Sequence, residues 1–420
     1  MRRIAGLLVA GALGVGFIAP AAGHAATLNP GDIVVADGSA AGGKGALLLI
    51  NPVTGAQSTI SSGADLSAGA SWHAPVGLAM DSTGRILVSD EPFPSGDPAK
   101  ILRVNPATGF RTIVAAGGSL QGPVGLGVEP SGTILVAESG AAPAILRIDP
   151  LSGAQSTLAS GGSLVSPFGI AFDSAGRILV VDYNAFGGFA GGNGGVLRVN
   201  PTTGFQVIVS AGTNFRAPSG IALDASGRIF VTDQYGADPT PPDSKGNLFG
   251  VDPVSGVQTL VSSGVNLSQG ASWVDPFGVA REASGSFVVA DSGDSPSFQP
   301  THNPGRVLRV NPATGFRTLV SAGGELLDPG AILVVPPTCA GRYATVVGDP
   351  LSNRIVGTRF NDVIVGLAGK DKITGGKGND LICGGPGRDV LRGGSGNDKL
   401  LGQGGADRLV DGRGKNKLRQ

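Results

Sequence analysis

From residue 31 to residue 335 the apolar residues come in short bursts, each closed by a polar or glycine-rich step. The clearest stretch reads GIAFD, RILVVD, GVLRVN and FQVIVS between residues 169 and 210. Runs this short and this rich in Val, Ile and Leu predict strands, and the steps between them are turn chemistry. Asp173-Ser-Ala-Gly176 joins the first two runs, and Asn200-Pro-Thr-Thr-Gly204 joins the last two. Pro sets φ, Gly supplies φ > 0, and Asn or Asp bonds its own backbone. The whole unit repeats. Its first glycine returns at Gly77, Gly125, Gly169, Gly220, Gly278 and Gly330, at intervals of 44 to 58 residues. Its Asn/Asp-Pro turn returns at Asn51, Asn105, Asp149, Asn200, Asp252 and Asn311.

Four antiparallel strands in a repeat of this length predict β-propeller blades. The ends of the array give the blade count. The first unit opens at residues 31–37 (GDIVVAD), which match a second strand, and the last run, 329–335 (PGAILVV), matches the missing first strand. Joining them closes a sixth blade and removes the exposed edges of an open array. The expected architecture is therefore all-β, with a six-bladed propeller over residues 26–335 closed by its N- and C-terminal strands. The run G-I-A-x-D-x-x-G-R-I-x-V-x-D resembles the NHL and gluconolactonase-like propellers, including the streptogramin-lyase-like group. That resemblance implies fold; the family mixes enzymes with binding scaffolds, so function does not follow from it.

At Gly348 the period changes. Eight consecutive nonapeptides follow without an insertion, from GDPLSNRIV to DGRGKNKLR. The eighth position is aliphatic throughout (Ile355, Ile364, Ile373, Ile382, Leu391, Leu400, Leu409, Leu418), and the sixth is Asp in six repeats. The pattern G-G-x-G-x-D-x-U-x resembles the RTX, or haemolysin-type, calcium-binding repeats. Six residues of glycine-rich turn and three of strand make two repeats one coil of a parallel β-roll, here over residues 348–420 after a lead-in at 336–347. The aliphatic residues stack inward, and turns 18 residues apart bring carboxylates and glycine carbonyls together. Hard oxygen donors of this kind suit Ca2+.

The expected ligands are Asp362, Asp371, Asp380, Asp389, Asp398 and Asp407, with the turns of Gly376, Gly378, Gly385, Gly387, Gly394 and Gly396. Sites are expected across Asp371/Asp389, Asp389/Asp407 and Asp380/Asp398, about three or four ions in all. An Asp362/Asp380 site is weaker, because Phe360 replaces a turn glycine. Without the ion, stacked carboxylates repel and glycine turns carry high chain entropy, so the roll should fold as calcium binds.

The N-terminus predicts export. Arg2 and Arg3 precede an apolar run over residues 4–19, Pro20 breaks it, and small residues follow to Ala26. This is the layout of a signal peptide over residues 1–25, cleaved after Ala25. The run is short for a membrane span of about 20 residues. The mature chain is expected to be secreted and extracellular, without a transmembrane segment. Two cysteines in such a chain, Cys339 and Cys383, predict one disulfide. The lead-in Cys-x-Gly-x-x-Ala-Thr-x-Val-Gly (339–348) resembles secreted actinobacterial-type calcium-binding domains.

Composition adds two points. The 72 Gly and 29 Pro exclude long helices. Lys+Arg equals Asp+Glu at 31 each, which argues against a nucleic-acid partner. The balance hides a split, with 14 basic and 8 acidic residues from 338 onward against 15 and 23 in 26–337. Lys and Arg at exposed repeat positions solubilise the roll; the sharper alternatives are attachment to an anionic envelope polymer and docking on the acidic propeller.

If the propeller has a site, it lies on the face carrying the variable connections 91–100, 183–194, 234–246 and 292–305. The same face holds Trp72, His73, Trp273 and His302, and the acids that end each second strand: Asp37, Asp90, Glu138, Asp182, Asp233 and Asp291. Strand-end acids of this kind accept backbone N–H groups, and the two Trp read as packing lids. The functional alternative is a polar or metal-binding funnel, as gluconolactonase-like resemblance implies, although no matching Asn set is present. No G-x-S-x-G or H-E-x-x-H occurs, and neither His sits in a motif with a nucleophile. The sequence thus predicts a secreted calcium-binding protein whose propeller binds a polymer, protein or small molecule; the rival reading is an extracellular lactonase, hydrolase or lyase.

Overall fold

The computed structural model describes residues 26–91, 96–185, 194–212, 214–235, 245–293 and 304–420. The signal segment and His302 lie outside the described residues. Six four-stranded antiparallel sheets form the propeller. Ring closure is as expected. Ile33–Asp37 pairs on one side with Ala46–Ile50 and on the other with the C-terminal strand Pro329–Val334, with Ile33 opposite Val334 and Val35 opposite Ile332.

Glycine answers two separate needs within each repeat. The Asn/Asp-Pro turns end on glycines with φ of 68–71° (Gly55, Gly109, Gly153, Gly204, Gly256, Gly315), a region other residues avoid. The first glycine of each unit serves a different need. A Cβ at Gly77 would run into the carbonyl of Val124, and one at Gly125 into that of Phe168, so inner strands of adjacent blades approach backbone to backbone near the axis. Blades are also latched further out. Arg103, Arg147, Arg198 and Arg309, all on third strands, donate to the carbonyls of Pro150, Pro201, Pro253 and Pro52 of the next blade. The last of these crosses the closure.

The C-terminal module is a parallel β-solenoid of two sheets, five- and four-stranded. Each strand pairs with the one 18 residues on, so Ile355, Ile373, Leu391 and Leu409 form one column and Ile364, Ile382, Leu400 and Leu418 the other. Six of these, Ile355 through Leu400, form the buried core between the sheets. Cys339 is disulfide-bonded to Cys383 and buried in a second cluster with Val363, Val365 and Leu381. The roll sits against the propeller face that carries the short turns. There Arg281 Nη1 and Nη2 donate to the carbonyls of Val347 and Gly348 at 3.1 and 2.9 Å, and Asp349 lies 3.5 Å from the same guanidinium. Among the described residues this is the one ion pair between the modules, and its cation is on the propeller. Of the roll's basic residues, Arg359 reaches the propeller, its Nη2 donating to the Thr202 hydroxyl at 3.4 Å.

Candidate metal centre

The turns of the roll stack so closely that side chains are excluded. The added Cβ of Gly394 would meet the Gly376 carbonyl, that of Gly396 the Gly378 carbonyl, and that of Gly387 the Gly369 carbonyl, each one coil away. Gly376, Gly378, Gly385, Gly394 and Gly396 also hold φ between 108° and 133°. Turns built this way present carbonyl oxygens along the stack, with no side chain between coils.

Each aspartate of the sixth position then divides its two oxygens between two tasks. Oδ1 accepts the backbone N–H of the residue 18 earlier: Asn353 to Asp371 at 2.8 Å, Asp362 to Asp380 at 2.9 Å, Asp371 to Asp389 at 2.8 Å, Asp380 to Asp398 at 3.0 Å and Asp389 to Asp407 at 2.9 Å. All are 18 residues apart and fall in two columns, and four of them link the aspartates between which calcium sites are expected. Oδ2 of Asp371, Asp380, Asp389, Asp398 and Asp407 is buried without any hydrogen-bond partner. A Cβ at Gly375 would fall between Asp380 Oδ2 and the Gly393 carbonyl, and one at Gly384 between Asp389 Oδ2 and the Gly402 carbonyl. Oxygen acceptors therefore face one another with no proton donor between them. Burial first, and neighbouring carboxylates after it, push Asp371 up to about 6 and Asp380 up to about 7, and raise Asp389. A buried acceptor left without a donor is costly. A hard divalent cation meets that need, so the residues present fit calcium.

Asp362 is different. Its Oδ2 accepts both the N–H and the hydroxyl of Thr358, at 2.6 and 2.9 Å, and Oδ1 lies 3.4 Å from the Thr345 hydroxyl. Thr358 stands at the second repeat position, held elsewhere by Gly376, Gly385, Gly394 and Gly412, and its donors occupy the carboxylate oxygen that Asp380 and Asp389 leave open. The row of open Oδ2 atoms therefore begins at Asp371. The first-position glycines Gly393 and Gly402, whose carbonyls face Oδ2, were not among the expected glycines; glycine at the first position of seven of the eight repeats was the available signal.

On the propeller, the acid ring is buried and bonded to main chain. Asp37, Asp90, Glu138, Asp182, Asp233 and Asp291 are at most 1% exposed. Asp90 accepts from His73 and Ala74, Glu138 from Gln121 and Gly122, Asp182 from Val165 and Ser166, Asp233 from Arg216 and Ala217, and Asp291 from Val274 and Asp275. Asp37 does the same for Leu327 and Asp328 of the C-terminal strand's lead-in. Each acid clamps the segment entering its own blade. Burial raises Asp233 to about 7 even so, with the backbone donors opposing it.

The Trp residues are interior. Trp72 and Trp273 are 3% and 0% exposed and donate to the carbonyls of Gly45 and Gly246. Each packs on a buried guanidinium, Arg111 at 4.9 Å and Arg317 at 5.0 Å, which in turn donates into the Gly-Ala-Ser-Trp insertion. His73 lies 3.5 Å from Asp97. Beside Asp291, whose carboxylate accepts its backbone N–H, stands Asp275, which sequence reasoning passed over. Its Oδ1 is buried without a partner, and burial together with Asp291 and Asp328 raises it to about 7. It precedes Pro276 in a blade connection, and no motif marks it.

Residues 347–382 and 384–418 match the RTX calcium-binding nonapeptide repeat. No curated protein matches the chain. Among solved structures, a nidogen/laminin complex aligns at 15% identity with a TM-score of 0.51, over 72% of this chain and 97% of that one. A 6-phosphogluconolactonase-like protein of Bacteroides fragilis aligns at 14% identity with a TM-score of 0.47, over 73% and 99%. At this identity the first likeness shows the propeller fold alone. No helix among the described residues is long and apolar enough to cross a membrane. The chain thus carries RTX calcium-binding nonapeptide repeats in a parallel β-solenoid that follows a six-bladed β-propeller.

Proposed function

We propose that this is a secreted calcium-binding protein, exported by the segment 1–25, in which Asp371, Asp380, Asp389, Asp398 and Asp407 hold about three or four Ca2+ ions between the coils of the roll. Glycine carbonyls of the stacked turns complete each site. The propeller over residues 26–335 acts as a scaffold for an extracellular ligand. The single observation that carries the calcium reading is the row of five buried Oδ2 atoms without a hydrogen-bond partner. The scaffold reading rests on the acid ring, whose members already accept main-chain donors and so serve the blades. Removing calcium from the full chain with EDTA tests it by far-UV circular dichroism. The roll's contribution should vanish while the propeller's β signal persists, and an unchanged spectrum from a chain stripped of calcium would refute it.

A further inference from the structure

Between the roll and the short-turn face of the propeller lies a cavity of about 870 Å³, a size that accepts a drug-sized molecule. Its walls are the last residues of the inner strands, Met80, Val128, Phe172, Leu223 and Val334, half-buried because they border open space. Arg281 occupies the sixth equivalent position. The roll supplies the floor, with Val356 and Leu367.

Polar groups around this chamber are almost all engaged. Asp81 pairs with Arg103 at 3.3 Å, Glu129 with Arg147 at 2.6 Å, Asp173 with Arg177 at 2.7 Å and Glu282 with Arg309 at 2.6 Å. Asp224 accepts the N–H groups of Ser226 and Arg228 in its own turn. Arg281 is engaged as well, with Nη1 and Nη2 on the roll's carbonyls and Asp349 3.5 Å away. One cation is left: Arg354 lines the chamber from the roll, with no acid partner among the described residues. Apolar walls, consumed acids and one unspent guanidinium together define one kind of occupant.

The geometry points to a binding site for a single-chain amphiphile with an anionic head, its alkyl chain against Met80, Val128, Phe172 and Leu223 and its head at Arg354. The site lies on the propeller face opposite the variable loops. Because the roll forms its floor, this inference rests on the calcium reading above for its regulation: the chamber is closed only while the roll is folded.

Dansyl-undecanoate, titrated into the full chain in calcium and followed by fluorescence, tests the site. The expected result is saturable binding of one probe per chain. Val128→Trp, which fills the chamber, should abolish that binding. Arg354→Glu, on the exposed roll surface where folding is not at stake, should weaken it about fivefold, the effect of one partly exposed charge pair. Circular dichroism of each protein with and without calcium separates the two readings. If the roll stays folded without calcium, the calcium reading fails, probe binding becomes calcium-independent, and the two variants still decide the site. A calcium-folded chain that binds no probe, or binding that survives both substitutions, overturns the proposal.

Discussion

The Asp389 carboxylate accepts the backbone N–H of Asp371, one coil earlier in the roll, at 2.8 Å through Oδ1, and holds Oδ2 buried without a partner. One side chain thus ties two coils together and contributes an open acceptor to the space between them. Asn at this position would keep the first contact and bring an N–H2 donor into the second. Asp389→Asn should therefore remove at least one Ca2+ from the stoichiometry measured by isothermal titration calorimetry and weaken the remaining sites. Asp362→Asn should leave stoichiometry unchanged, because Thr358 already fills the oxygen that would face an ion.

The disulfide joins the entry of the roll to its fourth repeat across a separation of 44 residues. Its removal from the denatured chain releases loop entropy worth about 4 kcal/mol in the chain-entropy model. Cys339→Ser with Cys383→Ser should shift the calcium midpoint of folding to higher concentration by at least tenfold, read by circular dichroism. An unchanged midpoint would mean that the cross-link constrains nothing the ion does not already constrain.

Inner-strand glycines make a sharp stability test. Gly125→Ala places a methyl against the Phe168 carbonyl, which belongs to the backbone of the next blade and cannot swing away. A loss of roughly 2–3 kcal/mol is expected in urea unfolding of the full chain. Gly38→Ala, with nothing near its added Cβ, should change stability by less than about 0.5 kcal/mol.

Asp275 gives the pH dependence a sign. Its folded value is raised to about 7, above the ordinary 3.8, because the site is desolvated and faces Asp291 and Asp328. Between those two values the folded state binds the extra proton, so stability contributed at this site is present in acid and falls as pH rises towards 7. A shift of this size has a ceiling of about 4 kcal/mol, which solvent reaching the half-buried Asp275 reduces to roughly 2. Asp275→Asn should stabilise the propeller by about that much at pH 8 and make little difference near pH 4, measured as the urea midpoint at each pH.

Much of this was legible because repetition amplifies weak local signals. Ring closure followed from an orphan first strand at 329–335 and a missing one at 31–37, and the roll's register from an aliphatic eighth position unbroken from Ile355 to Leu418. What stayed hidden depends on contacts remote in sequence. The donors to Asp182 lie 16 and 17 residues earlier, in the segment entering the blade, and only the folded meander brings them to it. Trp72 is buried by Arg111, 39 positions away in the next repeat's numbering, so its burial could be suspected but its partner could not. Nothing local marks Arg281 as the residue that receives the roll. The Thr358–Asp362 contact was within reach but missed: from sequence the weakness at Asp362 is laid to Phe360, whereas the nearby Thr358 offers two donors to that carboxylate.

The central claim is that the coil-bridging aspartates hold calcium and that the roll folds by doing so. Calcium content of the full chain, measured by isothermal titration calorimetry alongside far-UV circular dichroism, tests it most directly. The account predicts about three or four ions per chain, with the spectral change saturating at the calcium concentration that fills them. A chain that binds no calcium, or a roll already folded before any is added, would contradict it.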